Sequence, residues 1–144
     1  MKESLKESSA VHTHLNILQG IISRMAGNSS NCKTWAVTIV SAVLVLLIDK
    51  GKMDYYYISF IPLIMFFVLD AFYLGLEREF REQYKVFVEA LNSETFDQKN
   101  VFVIVLDNGF LHKIWRTLKS LYSFSTTPFY FILGMLIYFS SRIG

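Results

Sequence analysis

Asp70 is the one charged residue between positions 55 and 76, set between Phe66-Phe67-Val68-Leu69 and Ala71-Phe72-Tyr73-Leu74. A carboxylate in such surroundings costs several kcal/mol in a bilayer unless it is paired, near the interface or facing water. Two placements follow: a partner for Lys33 or Arg24 across a helical hairpin, or a ring of acids at a pore mouth. Thr34, Thr38 and Ser41 fall at i, i+4 and i+7 and share one helix face. Hydroxylated residues in a membrane helix either allow close, hydrogen-bonded helix packing or line water. Thr34, Thr38, Ser41 and Asp70 are therefore the pore-lining candidates, with helix packing as the competing use.

Arg24, Arg78, Arg81, Lys113, Arg116 and Lys119 are the candidate contacts for a phosphate-rich ligand. Most of the cationic positions, Lys85 included, are interleaved with Glu77, Glu79, Glu82 and Glu89, which favours a solvated, self-paired helix face. Lys113, Arg116 and Lys119 have no acids beside them in sequence and make the better patch. His12 and His14 stand two apart, on different faces of a helix, whereas one metal needs the i, i+4 spacing. They are read as solvated. The single cysteine, Cys32, excludes an intramolecular disulfide and a four-cysteine zinc site. With no phosphate loop, nucleophile elbow or paired-cysteine motif, no catalytic residue, metal or cofactor is expected, and enzyme is the weakest class.

The elements that must position these residues spell an all-α membrane protein in a single domain of 144 residues. Hydrophobic residues make up 53%, and the net charge of +2 implies no global attraction to polyanions. Residues 4–26 form an amphipathic helix with Val11, Leu15, Leu18, Ile22 and Met25 as its seam. Gly27-Asn28-Ser29-Ser30-Asn31 is a break before the first span, 33–49, with a continuous kinked helix as the alternative. No cleaved signal peptide is expected, since Asn16, Gln19 and Gly20 interrupt the early apolar turn. After the loop 49–54, one helix over 55–91 starts in lipid at the interfacial cluster Tyr55-Tyr56-Tyr57 and runs on into water as a long cytosolic extension. Its stripe Phe80, Tyr84, Phe87 and Leu91 pairs with the first helix, and the two together present more apolar surface than one hairpin hides, which calls for a homo-oligomer, a tetramer by preference.

Residues 101–106 are a short strand or an apolar helical turn. Residues 109–122 form a basic amphipathic helix suited to the membrane interface. Ser125, Thr126, Thr127 and Pro128 start a third membrane segment over 126–141, short enough to be either a tilted span or a half-inserted helix. Only Lys50 and Lys52 lie in the hairpin loop, so the positive-inside rule puts the N-terminus and the middle region in the cytosol.

The arrangement resembles the SLATT superfamily of prokaryotic membrane effectors. The resemblance is carried by Ile22-Ser23-Arg24-Met25-Ala26-Gly27-Asn28-Ser29 with Lys33-Thr34-Trp35-Ala36-Val37-Thr38, by Leu69-Asp70-Ala71-Phe72-Tyr73-Leu74 with Glu77-Arg78-Glu79-Phe80-Arg81, and by Trp115 and the run 123–130. The nearest likeness is to the Hailong type of antiphage system, in which such a membrane protein is paired with a nucleotidyltransferase. The resemblance implies a bacterial inner-membrane protein, homo-oligomeric and ion-conducting, gated by a nucleotide or oligonucleotide made by that partner enzyme. Conduction through it would depolarise the cell in antiviral defence and cause growth arrest or death. The competing class is a non-conducting membrane anchor that recruits a cytosolic partner through its long helix; a small holin-like lysis protein is a third.

Overall fold

The computed structural model describes residues 8–93, 101–104 and 109–143. Within them the regular structure is helical throughout, and the first helix, α1, runs Ser9–Asp49 without interruption. The break at residues 27–31 is therefore corrected to the continuous alternative. The cause is a single buried seam that ignores local composition. Val11, His14, Leu18, Ser29, Cys32, Ala36 and Val40 are buried at heptad-like steps, with Ile22 and Met25 half-buried between them. Ser29 sits on the seam where the sequence reads as loop. At 1.5 Å per residue this 41-residue helix is about 60 Å long.

The chain reverses at Gly51, whose φ of +60° is a left-handed conformation that glycine adopts without a steric penalty. A 3-10 helix, Met53–Ser59, then leads into α2, Phe60–Asn92. The helix expected from residue 55 thus starts as a tighter coil. Pro62 explains the switch: it has no N–H for the carbonyl of Ile58, and its ring crowds that carbonyl, so α-helix is excluded there but tolerated once Pro62 lies in a first turn.

α1 and α2 lie side by side along their whole length. In the polar halves Val11, Leu18, Phe80 and Phe87 are all at most 9% exposed within one protomer. These four positions are closed off within the protomer, while Leu15, Ile22, Met25, Tyr84 and Leu91 of the same stripes are half-buried. In the apolar halves Ala36, Val40 and Leu63 form a core with Tyr130, Leu133 and Ile137 of the last helix, α4, Thr127–Ile143. Pro128 falls in the first turn of α4, as its sequence suggests. α4 begins beside Phe66, reached by the Tyr130 hydroxyl, and passes Phe60 at Gly134, so it runs alongside α1 and opposite to α2. The short helix α3, Phe110–Leu121, crosses α2 at Gly75.

Two helical stretches, Ser9–Asp49 and Met53–Asn92, are long and apolar enough to cross a membrane. Only 22% and 28% of their most apolar windows are buried, which is unlike the core helix of a soluble protein. Trp35, Val45, Leu46, Ile48, Ile61, Ile64, Met65, Phe131, Ile132 and Leu136 cover the outside of the three-helix apolar half.

His14 is not solvated. It is 2% exposed, its ring lies 4.3 Å from that of Phe87, and its Nδ1 accepts the backbone N–H of Phe102 at 3.1 Å. That contact pins residues 101–104, which form neither a strand nor a helical turn; positions 105–106 lie outside the described residues. Phe102 holds a φ of +68°, a conformation that costs a non-glycine residue about 1–2 kcal/mol. Burial pushes the His14 pKa below its ordinary 6.5, favouring the neutral ring that can accept a hydrogen bond. A base whose folded pKa is lowered gives stability that is complete above the unfolded value and lost as pH falls below it. The Phe102 amide is expected to exchange with deuterium faster as pH drops below about 6.5, beyond its intrinsic rate change. The same amide in His14→Leu should be poorly protected at every pH; protection unchanged in that variant would show that His14 does not hold the segment.

Candidate functional site

Asp70 is fully buried on α2, facing α1. Its Oδ2 lies 2.6 Å from Lys33 Nζ, and its Oδ1 accepts the hydroxyl of Ser29. Lys33 Nζ also donates to Ser29 Oγ at 3.4 Å, which closes a three-residue ring of polar contacts. Ser29 and Lys33 are one turn apart, so both reach one point on α2. Tyr130 of α4 stands beside the carboxylate and donates its hydroxyl to the Phe66 carbonyl at 3.1 Å. Asp70 is thus a helix-to-helix tie at the base of the three-helix half. Of the two placements allowed by sequence, the geometry is that of the pair with Lys33, and Arg24 is not its partner.

Thr34, Thr38 and Ser41 are brought together with one another but not with Asp70. All three are exposed in the protomer. At about 100° per residue their stripe points roughly opposite to the buried seam through Ser29, Cys32, Ala36 and Val40. Thr38 donates its hydroxyl to the Thr34 carbonyl at 2.9 Å, and Thr34 to the Ser30 carbonyl at 3.4 Å. The Thr34 and Thr38 hydroxyl protons are satisfied along the helix, and their oxygens keep lone pairs for a neighbour or for water.

The six candidate cations divide differently from their grouping in sequence. Arg116 is 12% exposed and forms an ion pair with Glu79 of α2, itself 16% exposed. The statement that Arg116 lacks acids holds only along the chain; the acid comes from another helix. The patch Lys113, Arg116 and Lys119 is therefore not a free cationic face: Arg116 points into the protein, Lys119 is exposed, and the Lys113 side chain lies outside the described residues. Arg78 Nη2 donates to Ser123 Oγ at 2.8 Å and ties the turn before α4 to α2. Arg81 pairs with Glu77 one turn earlier at 2.7 Å, and Lys85 approaches Glu89 at 3.8 Å. Arg24 is exposed on α1. A groove of about 490 Å³ between the polar halves of α1 and α2 is lined by Gln19, Ile22, Ser23, Ala26, Arg81 and Tyr84.

Sequence reasoning missed Ser29, Glu79, Ser123 and Gly75. A Cβ on Gly75 would meet Arg116 Cγ at 3.1 Å and Ser120 Oγ at 3.3 Å, so the glycine is what lets α3 seat its arginine on α2. Gly75→Val is expected to lift α3 and weaken the Arg116–Glu79 pair, at an overpacking cost of about 1–3 kcal/mol. Limited proteolysis should then cut near Tyr122 and Phe124 several times faster than in the wild type; an unchanged rate would mean that α3 is held elsewhere. Projecting the seam of α1 onto α2 would have paired Ser29 with Asp70, but nothing local in the sequence announces Glu79 as the partner of Arg116.

Compared with protein-family models, with curated proteins and with solved structures, the chain matches none.

Proposed function

We propose that the chain is a homo-oligomeric, ion-conducting effector of a bacterial inner membrane, with α1, α2 and α4 spanning and the N-terminus cytosolic. The observation that carries this reading is the stripe Thr34, Thr38 and Ser41, turned outward from the packed seam of an otherwise apolar helix surface. Grouped around an axis, four protomers would bring four such stripes into one hydroxyl-lined path, with the apolar sides of α2 and α4 left for lipid. The Lys33–Asp70 pair sits just below that path and fixes α1 against α2, so that the stripe has one direction.

Control by a nucleotide or oligonucleotide from a partner nucleotidyltransferase belongs to the same proposal. Such a ligand meets the exposed Arg24 and Lys119 directly. To reach Arg78, Arg81 or Arg116 it must compete with Ser123, Glu77 or Glu79. A ligand that takes over these cations binds a loosened cytosolic half better than the paired one, which is the differential affinity that gating needs. Depolarisation of the cell, with arrest or death as antiviral defence, is the proposed outcome.

The test is recording from the purified full chain in planar bilayers, with and without nucleotides and short oligonucleotides. Discrete unitary currents that change on ligand addition are expected. A chain that inserts but never conducts would leave the membrane-anchor class standing in place of the channel.

A further inference from the structure

α3 is packed the wrong way round for a helix in water. Its polar residues Arg116 and Ser120 face α2, the first paired with Glu79 and the second 1% exposed against Gly75. Its apolar residues face out: Trp115 is 69% exposed, with Ile114 and Leu118 at 40% and 44%. The turn that follows continues the same surface with Tyr122 and Phe124, 88% and 94% exposed. Burying the arginine and displaying the tryptophan is unfavourable in water, since both groups are placed against their solvation preference. The arrangement becomes favourable if the medium outside α3 is apolar.

The height of α3 says which medium that is. Gly75 and Glu79, where α3 rests, lie 20 and 24 residues beyond Tyr55, or about 33–39 Å along a helical path whose first five steps are 3-10 helix. A hydrocarbon core is about 30 Å thick, with the headgroup layers bringing the total to about 40–45 Å. If Tyr55 marks one interface, α3 lies at the other. Phe124 is three residues before the start of α4, whose Phe131 and Ile132 are also exposed. Lys119 is exposed at the edge of this face.

We propose that the outward face of α3 and the turn after it, Trp115, Leu118, Tyr122 and Phe124, is a lipid-binding surface that lies in the headgroup–acyl boundary of the cytosolic leaflet. The Arg116–Glu79 pair and the Gly75 seat couple it to α2. α3 is then an interfacial helix fixed to a spanning helix. The inference rests on the membrane reading of the chain and is independent of whether the protein conducts.

Trp115 is one of two tryptophans, so Trp35→Phe leaves it as sole reporter. That full-length variant would be reconstituted into zwitterionic phosphatidylcholine vesicles and first tested for flotation after carbonate washing, which reads the membrane assignment alone. An interfacial helix sits about 5–10 Å into the headgroup–acyl boundary, so lipid brominated at shallow acyl carbons should lower Trp115 emission about twofold. Lipid brominated near the chain ends should quench less, and aqueous iodide hardly at all. Strong iodide quenching with no bromolipid effect would overturn the proposal by placing the face in water. Protection from both quenchers would overturn it in favour of a second copy or another protein on this face. Leu118→Asp, in the same background, should shift Trp115 from bromolipid to iodide quenching; persistence of the bromolipid signal would refute the role of the face. Vesicles from which carbonate strips the protein would sink the membrane reading itself.

Discussion

Lys33→Met is expected to destabilise the protomer by about 3–5 kcal/mol, the range for breaking a buried ion pair, whereas Asp70→Asn should cost only about 1–3 kcal/mol. The asymmetry follows from exposure. The Lys33 side chain keeps 21% of its surface, so an unpaired ammonium can swing outward off the protein. Asp70 keeps none, and without Lys33 its carboxylate has only the Ser29 hydroxyl and the neighbourhood of Tyr130. The double variant Lys33→Met/Asp70→Leu should recover most of the loss, since apolar replacement of both partners is often neutral or better. Ser29 is not orphaned there, because a helical serine can donate to the carbonyl four residues back. Thermal unfolding in detergent micelles, followed by helical signal, measures all three. Equal losses for the two single variants, adding up in the double, would mean that the pair does not act as a unit and that Asp70 is held by something other than Lys33.

The parts of this arrangement that were legible in sequence are those set by long-range composition. The charge-free stretch 34–48 and the stretch 55–76 with Asp70 as its one charge pointed to an apolar hairpin, and an isolated acid there called for a cation, an interface or water beside it. Pro128 marked the start of the last helix for a reason local to its ring. What was not legible is what tertiary contacts override. Gly27 to Asn31 has the composition of a turn, yet Ser29 continues the seam from Met25 to Cys32 and is held by Asp70. His14 reads as solvated beside His12 and Thr13, whereas its register with Val11 and Leu18 places it in the seam. Pro62 lies inside an apolar run that hides its effect, and its missing N–H sets where α2 begins. The two unlike faces of α3 are legible from its pattern, but that Arg116 turns inward is not, because its partner Glu79 stands on α2.

Thr38→Trp is expected to abolish most of the current through the reconstituted protein and to relieve toxicity on overexpression, while Leu46→Trp leaves both near the wild-type level. Both positions are exposed on α1 within the apolar half, so neither indole has to be forced into the protomer core. They differ in direction. Thr38 lies on the stripe opposite the buried seam, and Leu46 is eight residues on, turned by roughly 80° toward the side of Trp35. In an assembly with the hydroxyl stripes at its axis, four indoles at one level fill the path, whereas four at position 46 replace one apolar side chain with another in lipid. Thr38→Ser keeps the hydroxyl and should conduct; Thr38→Val keeps the shape without the oxygen and should conduct poorly if the lone pairs left by the Thr34 hydrogen bond serve passing ions or water. If α1 instead packs stripe to stripe with no path between copies, Thr38→Trp breaks the oligomer, and light scattering of the detergent-solubilised variant reads that as a loss of mass. A variant that keeps its mass and loses its current places Thr38 on the conducting path; one that keeps both removes the stripe from the mechanism.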